Sequence, residues 1–191
     1  MELLLIRHAL PVRVDSGSVD GPADPHLAPL GVHQAEALAA WLAAEPIHAV
    51  WSSPKRRALE TAGPLAGRLG LEVRVDEGLA EYDRHADSYI PIEELKAAND
   101  PRWNEQPERP EEFRADVVAA MEAVIAAHPG QRVAVVCHGG VINAYAGHVL
   151  GVTDPIFFLP AYTSVSRILA ASSGARSIET LNESGHLRGL G

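Results

Sequence analysis

The chain carries one cysteine among 191 residues, so no internal disulfide can form and Cys137 fits a reducing compartment. It has no apolar run approaching the roughly 20 residues of a membrane span. The N-terminal run, Leu3 to Ile6, stops at Arg7 and His8 and is too short for the core of a signal peptide. Positive charge is scarce: Lys and Arg number 16 against 25 Asp and Glu, a formal net charge of −9. That balance opposes binding to nucleic acid or to an anionic membrane, both of which need a positive surface. The sequence also lacks a G-x-x-x-x-G-K-S/T loop and a G-x-S-x-G elbow, which sets aside P-loop nucleotide hydrolases and serine α/β-hydrolases. Repeats and low-complexity tracts are missing as well. The expectation is a cytoplasmic protein of one domain over residues 1–191, with 47% hydrophobic residues to build its core.

The apolar pattern supplies the elements. Leu3 to Ile6 reads as a strand buried on both faces, and Arg132 to Cys137 as another. Short strands are expected at Ala49 to Ser52 and Leu71 to Val75. Ser164 to Ala171 and Arg176 to Leu181, separated by Gly174, suit a hairpin. Helical spacing covers Gly31 to Ala44, then a segment from an N-cap at Ser53 with Pro54 behind it to Leu69, broken or kinked at Gly63 and Pro64. Further helices are expected over Glu111 to Ala127 and about Val141 to Leu150. Strands alternating with helices predict a three-layer α/β/α sandwich on a mostly parallel sheet. Pro11 to Pro29 reads as a loop on the site rim. Asp76 to Pro110, with a short helix near Ile92 to Ala98, reads as a lid or specificity insertion.

Ligands of such sheets bind at the carboxyl ends of the strands. Two predicted strands end in histidine, His8 and His138, and a third ends before Ser53, so three distant segments converge on one place. Cys137 and His138 are neighbours on a strand and face opposite sides, which makes a Cys-His nucleophile pair awkward and a buried core thiol the better reading. His26 and His33 lack a third ligand at zinc spacing and read as surface histidines.

Three motifs occur in order: Ile6-Arg7-His8-Ala9 after the first strand, Ser53-Pro54-Lys55-Arg56-Arg57-Ala58-Leu59-Glu60-Thr61-Ala62 at a helix start, and Cys137-His138-Gly139-Gly140 after a late strand. Together they resemble the histidine phosphatase superfamily, also called phosphoglycerate mutase-like, over nearly the whole chain. The resemblance implies that fold and a phosphohistidine mechanism. It assigns His8 as nucleophile, Arg7 and Arg57 as phosphate-binding arginines and His138 as the second histidine of the phosphate pocket. Glu81, in Leu79-Ala80-Glu81-Tyr82, falls at the proton donor's usual position, with Asp83, Asp87 and Glu77 as competitors.

The residue types agree with those roles. Arginine forks stay charged and match phosphate oxygens bidentately, and phosphoryl transfer depends mostly on positioning and charge stabilisation. The Gly139-Gly140 pair before a helix lets backbone N–H groups approach an anion, so Gly139 joins the phosphate-binding set. These groups together could replace a metal, and no metal or cofactor is expected. A neutral imidazole can attack phosphorus, and a carboxyl with a raised pKa can protonate the leaving oxygen. Arg13, Tyr82, Arg84, His85 and Trp103 are candidates for substrate contact by position alone.

The sequence departs from the family pattern at Ala9, Pro11 and Val14, where Gly, Thr or Ser, and Asn are usual. The expected activity is a metal-independent phosphomonoesterase acting on a small phosphorylated substrate through a phosphohistidine. Two alternatives stand beside it. A phosphoglycerate mutase would return the phosphoryl group to a bound intermediate, and a phosphoryl-binding regulatory module would turn over little. The short 76–110 insertion favours the phosphatase. Substrate identity stays open, as does a homodimer through an exposed edge strand.

Overall fold

The computed structural model describes residues 1–18 and 20–189. Six strands form one sheet in the order β3-β2-β4-β1-β5-β6. They are β1 (Glu2–Arg7), β2 (Ala49–Ser52), β3 (Val73–Val75), β4 (Arg132–Cys137), β5 (Val165–Ala170) and β6 (Arg176–Glu183). The first four pair in parallel, whereas β5 runs antiparallel to β1 and to β6. The two β-prone segments near the C-terminus do form the expected hairpin, with Gly174 at φ +93 in its turn.

Four helices cover the sheet, α1 (Pro29–Leu42), α2 (Arg56–Leu69), α4 (Pro110–Ala127) and α5 (Gly139–Leu150), while the short α3 (Ile92–Ala97) lies in the 76–110 segment and buries no residue. Residue alternation on β1 explains the layering. Leu3 and Leu5 pack into a cluster with Val117, Met121 and Val124 of α4 and Val141, Ile142 and Tyr145 of α5. Leu4 and Ile6 point the other way, into a cluster with Leu38 and Leu42 of α1 and Ala58, Ala62 and Leu65 of α2. Neighbouring strand residues face opposite sides, so one continuous apolar run serves both cores. The result is the three-layer α/β/α sandwich. Cys137 is buried within the first cluster.

Helix α2 departs from expectation in two respects. Its N-cap is Lys55, so Ser53 lies before the helix and is free for another role. The helix also runs unbroken through Gly63 and Pro64. Helix α1 begins two residues earlier than the apolar spacing suggested, because Pro29 takes its first turn, where a missing N–H costs nothing.

Toward the N-terminal ends of β1 and β4, Arg132 and Arg167 share Glu2 and Glu45, and Arg167, opposite Leu4 in mid-sheet, also binds Glu183. The opposite, C-terminal ends carry Arg7, His8, Ser53 and His138. Among the described residues, no helix is long and apolar enough to cross a membrane.

Candidate active site

His8 follows β1 directly, and its N–H continues the parallel ladder to the Cys137 carbonyl at 2.9 Å. His138 follows β4 in the same way, as the N-cap residue of α5. Register between the two strands, Arg7 opposite Cys137, therefore sets the histidines side by side, with ring centroids 5.2 Å apart. Both are buried, as are Arg7, Arg57 and Glu81.

The His8 ring has a defined tautomer. Its Nδ1 lies 2.8 Å from the Ala9 carbonyl, which can only accept, so Nδ1 holds the proton and Nε2 keeps its lone pair. Arg57 Nε donates to that Nε2 at 3.3 Å. Burial, then the Arg57 and Arg7 charges, push His8 well below the ordinary histidine value and keep it neutral.

Arg57 sits in the first turn of α2, where a positive charge opposes the helix dipole. The Asp83 carboxylate at 3.5 Å partly offsets it. Arg7 donates to the Pro160 carbonyl at 2.7 Å and reaches Glu93 at 3.4 Å. Each guanidinium also lies over an aromatic ring. Arg7 Cζ is 3.8 Å from the Tyr162 centroid, and Arg57 Cζ is 4.6 Å from that of Tyr89. Cation–π contact of this kind holds a fork in place while leaving its N–H groups free to donate.

Glu81 is the buried member of the four competing carboxylates. Glu77 and Asp87 are exposed, Asp87 beside Ser16, and Asp83 is half-buried against Arg57. Glu81 Oε2 accepts the Gly140 N–H at 2.8 Å and Oε1 accepts the Tyr82 N–H at 3.1 Å. Burial, reinforced by the Asp83 charge, nevertheless pushes its pKa up to about 7. Both glycines of the pair line the cavity, and Gly140 has the further task, which the sequence did not reveal, of holding the carboxylate. A Cβ at Gly140 would overlap Glu81 Oε1, which explains why glycine stands there.

His138 hydrogen-bonds Ser53 Oγ through Nε2 at 2.7 Å, and its buried Nδ1 has no partner among the described residues. A buried orphan ring nitrogen beside two arginines suits an incoming phosphate oxygen.

A cavity of about 260 Å³ is lined near the chemistry by Arg7, His8, Arg57, Glu81, Gly139 and Gly140, while the fully buried His138 and Ser53 stand behind its described lining. Tyr82 and Trp103 of the position-based candidates line it too. Arg13 instead pairs with Asp15 and Glu94, and Arg84 and His85 are not among the described lining residues. His26 and His33 are exposed on the surface. Sequence reasoning missed Tyr89, Tyr162, Ser53 and Asn143. Of these, Ser53 carried a signal, since it ends a strand as the histidines do.

At the three departures from the family pattern the contacts are made by the backbone and do not depend on the side chain. Ala9 N–H donates to Thr61 Oγ1 at 2.9 Å. Pro11 forms an isolated bridge with Leu27, and Val14 one with Tyr89 through N–H···O bonds of 2.8 Å in both directions. The Val14 bridge holds Tyr89 near His8, at a ring separation of 6.5 Å.

Comparison with known proteins bears on the family and the fold. The model of the histidine phosphatase superfamily, branch 1, matches residues 3–184. Phosphoserine phosphatase 1 of Hydrogenobacter thermophilus is 32% identical over 163 residues, covering 80% of this chain and 77% of that protein. Glucosyl-3-phosphoglycerate phosphatase of Mycobacterium tuberculosis is 31% identical over 169 residues, covering 78% and 74%. Among solved structures, Bacillus stearothermophilus YhfR superposes with a TM-score of 0.76 at 23% identity, over 97% of this chain and 98% of that one.

Proposed function

The chain belongs to the histidine phosphatase superfamily, and on that premise we propose that it hydrolyses phosphate monoesters through a phosphohistidine on His8. The observation that carries the reading is the Nδ1–H bond from His8 to the Ala9 carbonyl, which leaves the Nε2 lone pair between two guanidinium groups in a cavity shared with Glu81. Arg7 and Arg57 bind the phosphate oxygens, joined by the orphan nitrogen of His138 and the first turn of α5 at Gly139.

Nε2 attacks phosphorus, a nitrogen–phosphorus bond forms and the ester bond to the leaving oxygen breaks. Glu81, held protonated by burial, gives its proton to that oxygen. The Ala9 carbonyl steadies the imidazolium of the phosphohistidine through Nδ1–H. The resulting Glu81 carboxylate then takes a proton from water, whose oxygen displaces the imidazole and releases inorganic phosphate. Neutral His8 and protonated Glu81 are restored. Two arginines and a helix N-terminus supply the positive charge, so no metal is required.

The proposal treats residues 1–191 as a single domain, with 76–110 as its specificity segment. Net charge −9 supports a small phosphorylated substrate over nucleic acid. The lone buried Cys137 suits the cytoplasm.

The test is phosphate release from p-nitrophenyl phosphate, with chelator present, for wild type and His8→Ala. Chelator-resistant turnover lost in the variant is the expected result. Turnover that survives in His8→Ala would overturn the phosphohistidine, and activity that appears only with a bisphosphate primer would point to a mutase.

A further inference from the structure

Away from the phosphate end, the cavity wall is apolar: Ile90, Ile92, Leu95, Trp103, Ile156 and Leu159. Its charged groups are mostly acidic. Asp83 and Glu105 line it, and Glu93 stands against Arg7 at the edge. Beyond Arg7 and Arg57, Arg102 is the one further cation among the described lining residues. It is already engaged. Its Nε lies 3.0 and 3.1 Å from the two oxygens of Asp100, and its Nη2 2.6 Å from Oδ2.

A substrate bearing a second anionic group must therefore place it against an apolar wall, beside carboxylates, or take Arg102 from Asp100. The first two courses cost desolvation or like-charge repulsion, and the third breaks one ion pair to make another. At about 260 Å³ the cavity is also smaller than those that hold drug-sized ligands, which leaves room for one compact group beyond the phosphate.

Resting on the phosphatase reading, we propose that the substrate is a phosphomonoester of an uncharged, compact, apolar or aromatic alcohol, and that carboxylate-bearing esters are rejected. This separates the chain from relatives named for phosphoserine and glucosyl-3-phosphoglycerate, both of which carry a carboxylate. Trp103 and the isoleucines select the leaving group by contact area. The Asp100 carboxylate competes for the one further cation that a carboxylate could use.

The experiment compares kcat/KM for benzyl phosphate, glycerol 3-phosphate and 3-phosphoglycerate, all esters of alkyl alcohols. The last two differ by a carboxylate, so intrinsic leaving-group reactivity does not decide the order. Benzyl phosphate is expected to exceed 3-phosphoglycerate by at least about tenfold, with glycerol 3-phosphate between them. Asp100→Asn keeps a side-chain oxygen for the Arg102 N–H but frees the guanidinium, and should narrow the gap by raising 3-phosphoglycerate. Trp103→Ala should lower benzyl phosphate more than glycerol 3-phosphate. Equal or better turnover of 3-phosphoglycerate by wild type would overturn the substrate class and leave the phosphatase intact. Turnover of none of the three would count against the phosphatase itself. Selectivity would then be read by calorimetric titration, where tightest binding of benzyl phosphate supports the inference and tightest binding of 3-phosphoglycerate overturns it.

Discussion

Glu81 accepts the backbone N–H of Gly140 at 2.8 Å, which ties the carboxyl from the 76–110 segment to the first turn of α5. The contact is close enough that no side chain fits at position 140. Gly140→Ala should displace Glu81 and lower kcat by about a hundredfold, the lower range of what a positioned acid–base group contributes. Steady-state kinetics check this. Gly67→Ala is the matching control, since a Cβ there meets open space in the exposed face of α2. It should raise stability by up to about 1 kcal/mol in urea unfolding.

The pH profile follows from two opposed shifts. Catalysis needs Glu81 protonated and His8 neutral. With Glu81 raised to about 7 and His8 held well below its ordinary value, kcat/KM should be bell-shaped, with its basic limb near pH 7 and its acid limb well under 6.5. Glu81→Gln should erase the basic limb and reduce kcat by about 10²–10⁴-fold.

The same shift bears on stability. The folded-state pKa of Glu81 lies above its unfolded value of 4.5, so its contribution is fully present below pH 4.5 and is lost as pH rises through about 7. Glu81→Gln removes that loss. The variant should therefore gain on wild type across this window, by about 1–3 kcal/mol at pH 8. Urea midpoints at pH 5 and pH 8 measure it.

Tyr162 packs its ring on Arg7 at 3.8 Å. Tyr162→Leu should raise KM by about 5- to 30-fold through loss of the cation–π contact, and Tyr162→Phe, which keeps the ring, should lose much less. A uniform loss of kcat in both variants would instead indicate a disturbed fold, and thermal melts separate the cases.

Arg167, opposite Leu4 in the middle of the sheet, answers three carboxylates, Glu2, Glu45 and Glu183. Arg167→Met should destabilise the chain by about 2–4 kcal/mol, because it strips counter-charge from a partly buried acidic group. Chemical denaturation reads the loss. At temperatures where the variant is folded, KM should stay near that of wild type, since Arg167 stands opposite Leu4, roughly 10 Å along β1 from Arg7.

The scaffold was legible because its signals are local. Leu3 to Ile6 and Arg132 to Cys137 are continuous apolar runs, and buried strands have few other ways to look. His8, Arg7 and His138 were legible because they follow those runs directly. Tyr89 and Tyr162 were not, since they reach the site from irregular segments whose course is set by distant contacts, the Val14 bridge for one and the turn at Thr163 for the other. Ser53 was misread for a different reason. A serine ahead of a helix is usually a cap, yet here its hydroxyl takes His138. The hold of Gly140 on Glu81 depends on where that carboxylate arrives, and only the tertiary structure contains that.

The ladder pairing of Arg7 with Cys137 makes the sheet a ruler for the chemistry. Strand side chains alternate, so a slip of one residue along β1 would turn His8 toward a different layer and bring an apolar neighbour to the cavity. Insertions and deletions inside β1 or β4 are thus forbidden by the reaction as well as by the core. Beyond the Tyr89 bridge to Val14, the 76–110 segment keeps no strand register. Provided Glu81 stays anchored at Gly140, and Asp83 and Tyr89 stay on Arg57, the length and composition of the rest are free to drift, and new substrates can be acquired there without retuning the bond-breaking apparatus.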